Sequence, residues 1–113
     1  NVDMYLGIGG GPEGVLAGSA LDAFDCFFQG RFIFDNDKDI NEAKKMGITD
    51  LDKKYELNEI IKGDSIFCAT GITSSKILKA IEIKNDTFAS ETFVTHKDSN
   101  FKKIVKKTDP ISE

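Results

Sequence analysis

A chain of 113 residues with 40% hydrophobic and 30% charged side chains is of single-domain size and has the composition of an ordinary globular protein. Nineteen acidic against fifteen basic residues give a formal net charge of −4, which argues against non-specific attraction to nucleic acid or to an anionic membrane surface. No apolar run approaches the roughly 20 residues that a membrane-spanning helix needs.

Val2, Met4, Leu6 and Ile8 alternate with Asp3, Tyr5 and Gly7, which predicts a first strand from Val2 to Ile8. From Pro12 to Phe28 the apolar residues Leu16, Ala20, Ala23, Phe24 and Phe27 recur at helical spacing, and Val15, Leu21 and Phe28 widen the stripe. Gly30 breaks that helix, and Arg31 to Phe34 reads as a second strand. The three elements together predict a βαβ unit with parallel strands. Asp35 to Lys38 is a polar loop. Ile40 to Met46 is a short helix with Asp39 as its N-cap and Gly47 as its stop. Leu57 to Lys62 reads as one or two helical turns ended by Gly63, with Glu56 a poor cap before it. Ser65 to Thr70 is a short, non-alternating apolar strand expected at the centre of a sheet. Ser74 to Ala80 is expected to be a turn with a short helical piece. Ile81 to Ile83, Thr87 to Val94 and Phe101 to Val105 read as an antiparallel meander, and Thr108 to Glu113 as a polar tail. One domain over 1–107 and a tail over 108–113 are expected. The fold class is α/β, of a three-layer α-β-α type, with a mixed sheet that starts as βαβ and ends antiparallel.

The richest chemistry lies between the first strand and the first helix, in Gly7-Ile8-Gly9-Gly10-Gly11-Pro12-Glu13-Gly14-Val15. Four of the first five residues are Gly, which lets a backbone turn sharply and approach a ligand closely. Pro12 suits the first helical turn, where its missing N–H is no loss. Free N–H groups and the positive end of a helix dipole then converge on one point, a ready anion site. Glu13 places a carboxylate at that same point. A phosphate and a carboxylate repel each other unless a cation sits between them. The loop is neither the dinucleotide fingerprint, because its third Gly is misplaced, nor a P-loop, because no Gly-Lys-Ser/Thr follows.

The spelling of the loop resembles the GIGGxPEGV signature of the class II, GlpX-type fructose-1,6-bisphosphatases, with Gly11 where that family usually has Ala. Gln29-Gly30-Arg31 is similar to the family's QGR, and Lys45-Met46-Gly47-Ile48 to its AMGI. Gly63-Asp64-Ser65-Ile66-Phe67-Cys68-Ala69-Thr70-Gly71-Ile72-Thr73 is similar to GDxVFxATGIT, and Glu91-Thr92-Phe93-Val94 to a TETL-type strand. Several of these motifs are weak singly, but in order from Val2 to about Val105 they are specific.

The resemblance implies the C-terminal part of a cytoplasmic, homo-oligomeric sugar bisphosphatase of gluconeogenesis. Such an enzyme hydrolyses the 1-phosphate of fructose 1,6-bisphosphate, in some members also sedoheptulose 1,7-bisphosphate, with Mg²⁺ or Mn²⁺. It implies that Glu13 is a ligand of the divalent metal and that Gly10 contacts the substrate, while no residue here is assigned a catalytic role. Most of the family's acidic metal cluster lies in the N-terminal part of its chain. A chain that opens on Asn1 and runs straight into a strand reads as a piece of something longer, so this piece alone is expected to be inert. The partners expected are the sugar bisphosphate and the missing N-terminal part, with no nucleic acid and no membrane.

Each residue also has a plainer reading. A carboxylate in a first helical turn stabilises the dipole by about 0.3–1 kcal/mol, and on position alone that reading of Glu13 is slightly ahead. The three glycines before Pro12 exceed what a helix start needs, and with the resemblance they favour a metal ligand. Gly10 serves a tight turn equally well. His96 matches no catalytic motif and reads as a surface or edge-strand residue. Arg31 suits a phosphate or an ion pair. Asp64 is a turn residue, and Thr70 and Thr73 flank a strand's carboxyl end, where α/β proteins place ligands. Lys102, Lys103, Lys106 and Lys107 bracket an apolar pair as in a protected edge strand. Cys26 and Cys68 read as buried reduced thiols, although the sequence alone does not decide against a disulfide. The competing function is a non-catalytic α/β module that binds a phosphorylated ligand at the Gly-rich turn. It leaves Glu13 and the later motifs without an account.

Overall fold

Two ten-residue strands dominate the computed structural model, which describes residues 3–111. In chain order the elements are α1 (Gly11–Asp22), β1 (Gln29–Gly30), α2 (Asp37–Lys45), β2 (Tyr55–Glu56), α3 (Leu57–Ile60), β3 (Ile66–Thr70), β4 (Glu82–Lys84), β5 (Thr87–His96) and β6 (Phe101–Pro110). Helices and sheets occur together, so the α/β class holds. The C-terminal meander is antiparallel, as its alternation and turns require.

β5 is the spine of the four-stranded sheet. β6 pairs with it along its whole length, from His96 opposite Phe101 to Thr87 opposite Pro110. On its other edge β5 pairs with β3 over Thr92–His96 and with β4 over Thr87–Ala89. The β4–β5 turn is Asn85-Asp86, at φ 48° and 57°. Two successive left-handed residues match the twist of a two-residue hairpin, and Asn and Asp tolerate that conformation best after Gly. Asn100, at φ 51°, helps close the β5–β6 turn, its N–H donating to the Lys97 carbonyl at 2.8 Å. β6 is longer than its hydrophobic run predicts, because main-chain pairing with β5 carries it through Thr108–Pro110.

Several expectations are corrected. The predicted strand over Val2 to Ile8 is not formed: Val2 lies outside the described residues, and Met4 to Ile8 pairs with nothing among them. The predicted strand over Arg31 to Phe34 is not formed: β1 lies just before it, over Gln29–Gly30, and runs antiparallel to β2. The βαβ start is therefore not assembled within these residues, because a strand needs a neighbour for its main-chain groups and alternation supplies none. β3 is an edge strand rather than a central one, paired with β5 alone. α1 stops at Asp22 instead of Phe28; Asp25 turns left-handed at φ 52°, and Phe24 swings down to stack on Phe93 at 6.2 Å. α2 begins earlier than expected. Asn36 is its cap, accepting from the Asp39 N–H at 3.0 Å, while Gly47 ends it at φ 88°. α3 is short, and the Glu56 N–H donates to the Glu59 carboxylate at 3.0 Å, so the poor cap is compensated from inside the helix. Ser74 to Ala80 contains no helix. The hydroxyls of Ser74 and Ser75 accept instead from the N–H groups of Ala80, Ile77 and Leu78. Cys26 and Cys68 are free thiols, both exposed.

One face of the large sheet carries Phe67, Phe93 and Thr95, and Phe24 at the end of α1 covers it. Ile66, Cys68 and Val105 stand on the other face and are exposed. The accessible surface is 9204 Å², whereas a compact monomer of this mass exposes about 6100 Å². The radius of gyration is 18.2 Å against about 13 Å for a compact chain of this length. Only Ala23 and Ala43 are buried apolar residues among those described. These residues leave much of their apolar surface uncovered.

The turn after β3 is held at two points. The Gly71 N–H donates to the Glu91 carbonyl at 3.0 Å, and the Lys79 N–H donates to the Glu91 carboxylate at 3.0 Å. A Cβ on buried Gly71 would strike the Lys79 carbonyl oxygen. Gly71→Ala is expected to destabilise the fold by about 1–3 kcal/mol, since the obstruction is pinned backbone and not a flexible side chain; chemical denaturation measures it. The Lys79 N–H, and beyond it Lys106, holds the Glu91 pKa below the usual carboxylate value. A depressed folded-state pKa gives stability that is fully present above the unfolded carboxylate range and is lost as pH falls through the folded value. Stability profiles of the native chain and Glu91→Gln should therefore differ near neutrality and converge in acid.

Candidate active-site loop

The site expected from the sequence is the entry to α1. Gly10 is the N-cap, at φ −68° and ψ 156°, and its carbonyl accepts from the Gly14 N–H at 3.1 Å. No side chain caps the helix. The N–H groups of Gly11 and Glu13 thus belong to the first turn and have no partner within the helix, while Pro12 has none to offer. Exposed donors and the positive end of the dipole point outward together.

Why glycine is needed here differs from the expectation. None of Gly9, Gly10 and Gly11 adopts a left-handed conformation; that belongs to Gly47 and Gly63. A Cβ at Gly9 or Gly11 would meet nothing within 4 Å. At Gly10 it would strike Oε2 of Glu13, because that side chain folds back over the N-cap. The two site residues named from the sequence are thus in direct contact. Gly10 is small where the Glu13 carboxylate lies, and the first helical turn sets the three-residue spacing.

The remaining candidates are dispersed. Thr70 shares a 2.8 Å hydroxyl–hydroxyl hydrogen bond with Thr92 across β3 and β5. Arg31 is exposed and makes no ion pair among the described residues. Asp64 bonds His96 instead of facing the Gly-rich loop. His96 Nε2 lies 2.7 Å from Asp64 Oδ1, and Nδ1 lies 2.6 Å from Ser99 Oγ. This cluster sits where Ile66 pairs with His96, at the opposite end of β3 from Thr70. It ties the loop before β3 to the β5–β6 turn. The three-residue spacing of His96 and Ser99 is visible in the sequence, but the partner 32 positions away is not.

The four lysines of β6 are engaged locally. Lys106 pairs with Glu91 at 3.3 Å and Lys107 with Asp109 at 3.0 Å, while Lys102 lies over the Phe24 ring and Lys103 over Phe101. A cleft of about 320 Å³ opens between the end of α1 and α3, lined by Asp22, Cys26, Phe27, Leu57 and Lys97. It lies at the other end of α1 from Glu13. Among the described residues no group of three or more His, Cys, Asp or Glu side chains converges to hold a metal ion, so Glu13 offers a single carboxylate. No helix among them is long and apolar enough to cross a membrane.

The family described as "Bacterial fructose-1,6-bisphosphatase, glpX-encoded" matches residues 1–109. Two relatives are named D-fructose 1,6-bisphosphatase class 2/sedoheptulose 1,7-bisphosphatase. The protein from Thermosynechococcus vestitus is 30% identical over 119 aligned positions, covering 93% of this chain and 34% of the relative. That from Prochlorococcus marinus (strain AS9601) is 31% identical over 103 positions, covering 79% of this chain and 31% of the relative. The chain thus spans about a third of the length of these relatives. A match running from the unpaired first segment, through the Gly-Pro-Glu loop, to the end of β6 is a match to the whole arrangement and not to one motif: this chain belongs to the glpX-encoded bacterial fructose-1,6-bisphosphatase family.

Proposed function

We propose that this chain is the C-terminal portion of a metal-dependent phosphatase that removes the 1-phosphate of fructose 1,6-bisphosphate in gluconeogenesis, and that Gly10 and Glu13 are its share of the active site. The single observation that carries the assignment is the contact between these two residues at an uncapped helix start. A divalent cation, Mg²⁺ or Mn²⁺, would supply charge neutralisation of the phosphate and activation of the attacking oxygen. The residues present fit part of such a site. Mg²⁺ takes few carboxylates and keeps phosphate oxygens and water, so one Glu beside free N–H donors suits it, and the other ligands come from outside this chain.

Within that site the chain's own residues bind and position. The Gly11 and Glu13 N–H groups hydrogen-bond phosphate oxygens, and the dipole of α1 favours their charge. The bare Cα of Gly10 lets the sugar phosphate and the Glu13 carboxylate share one side of the helix start. The free thiols of Cys26 and Cys68 support a reducing compartment, the cytoplasm, as the place of work.

Three outcomes are expected. Glu13→Gln in the full-length protein should raise the metal requirement and lower kcat by about 10²- to 10³-fold, because transition-state charge loses its counter-ion. A rate-against-metal titration that leaves both unchanged would reduce Glu13 to a helix-dipole residue. Gly10→Ala should separate stability from activity. Its dihedral angles suit any residue, so stability should change by about 1 kcal/mol or less. The new methyl group displaces the Glu13 carboxylate, so activity should fall and the metal requirement rise. The 113-residue chain by itself should hydrolyse no fructose 1,6-bisphosphate with either metal, and robust turnover by the pure chain would refute the division of the site.

A further inference from the structure

We propose that Lys97 is a positioning residue for the Gly-rich loop: it clamps the far end of α1 through Asp22 and so sets where Gly10 and Glu13 stand. The last turn of α1 has no basic residue and closes on Asp22, whose charge the negative end of the helix dipole disfavours. Lys97 supplies the missing cation from outside the helix. Its Nζ lies 3.0 Å from Asp22 Oδ1 and 3.8 Å from Asp25 Oδ1. The Asp22 side chain is only 16% exposed, so Lys97 is its counter-charge where water gives little help.

The base of the clamp is rigid. Lys97 opens the turn that joins β5 to β6, directly after the last rung of their ladder, where His96 stands opposite Phe101. The Asn100 N–H donates to the Lys97 carbonyl at 2.8 Å. His96 beside it is held at both ring nitrogens, by Asp64 at 2.7 Å and by Ser99 at 2.6 Å. The ammonium group therefore reaches α1 from the end of the longest strand pair in the structure.

The helix turns that clamp into a lever. At buried Gly18 a Cβ would meet Leu57 and Ile61 at 3.4 and 3.6 Å, which makes this residue a pivot against α3 and the residue after it. Beyond the helix Phe24 stacks on Phe93 at 6.2 Å between ring centres, an apolar contact that tolerates sliding. Val15 and Leu16 are exposed, so the first turns are loosely held among the described residues. Gly18 stands four residues from Asp22 and eight from Gly10, about 6 and 12 Å along the axis. A swing of about 1 Å at Asp22 thus becomes about 2 Å at Gly10. A group misplaced by about 1 Å can cost about 100-fold in rate. The cleft of about 320 Å³ beside the pair gives the end of α1 room to swing, and Asp22 a way back to water, once Lys97 no longer holds it. The reaction affected rests on the phosphatase reading; the clamp itself does not.

Lys97→Met in the full-length protein tests the clamp, because Met keeps the apolar stem and removes the charge. Crystal structures of native and variant protein should show Glu13 shifted by about 1 Å or more against the β5–β6 ladder. With fructose 1,6-bisphosphate, kcat should fall about 10- to 100-fold and the metal requirement should rise. The denaturation midpoint should barely move, since a half-exposed ion pair adds little stability and Asp22 regains water by swinging out. The double exchange of Lys97→Asp with Asp22→Lys should restore both position and rate. If Lys97→Met does not fold, Asp22→Asn opens the same pair and is read in the same way. A Glu13 that stays in place overturns the proposal, and so does a rate and metal titration that hold while only stability falls. A double exchange that leaves the rate low overturns it too. The two readings fail separately: a native protein that hydrolyses no sugar bisphosphate fails the phosphatase reading, and the shift of Glu13 still decides the clamp.

Discussion

The main-chain pairing of β5 holds the rest of the described structure in place. Ten residues bond β6 on one edge and share the other between β3 and β4, so one strand fixes the register of three. Its side chains extend that control. Phe93 receives Phe24 and Phe67, which anchors the end of α1, and Glu91 holds the turn after β3 through its carboxylate. Backbone hydrogen bonds are strong where they are cooperative and shielded, and a fully paired central strand is where both conditions are met.

The same arrangement leaves needs unmet. One sheet face, the edge of β3 and the segment Met4–Ile8 all present groups that a complete fold covers or pairs. An excess of about 3000 Å² over the surface of a compact monomer measures that incompleteness. Relatives about three times as long have ample chain with which to cover it. The proposal that the Gly-rich loop is one part of a shared active site follows the same logic. One carboxylate at a helix start binds a cation weakly, and becomes selective only when further oxygen ligands are fixed around it.

At the helix start itself, small size matters more than backbone freedom. Gly10 has ordinary extended dihedral angles, and its value lies in the missing Cβ beside the Glu13 carboxylate. At Gly71 the missing Cβ is needed for packing, against a backbone carbonyl. An added Cβ would meet a movable carboxylate at Gly10 and a fixed backbone carbonyl at Gly71, so the fold itself demands glycine only at the second position.

Local chemistry was legible from the sequence alone. Alternation and turn residues located β4, β5 and β6, Gly47 marked the end of α2, and the Gly-Pro-Glu spelling singled out two residues, Gly10 and Glu13, that the structure finds side by side. These features depend on neighbours within a few positions, and dihedral preferences and side-chain spacing transmit them directly. What only the tertiary structure decided was pairing. Met4–Ile8 carries the pattern of a strand yet is not one here, β3 has the composition of a central strand yet lies at an edge, and His96 finds Asp64 from 32 residues away. Strand status, edge status and long-range hydrogen bonds are properties of two segments together. A periodic pattern states which face of a segment is apolar, but the partner that completes its hydrogen bonds is set by the fold.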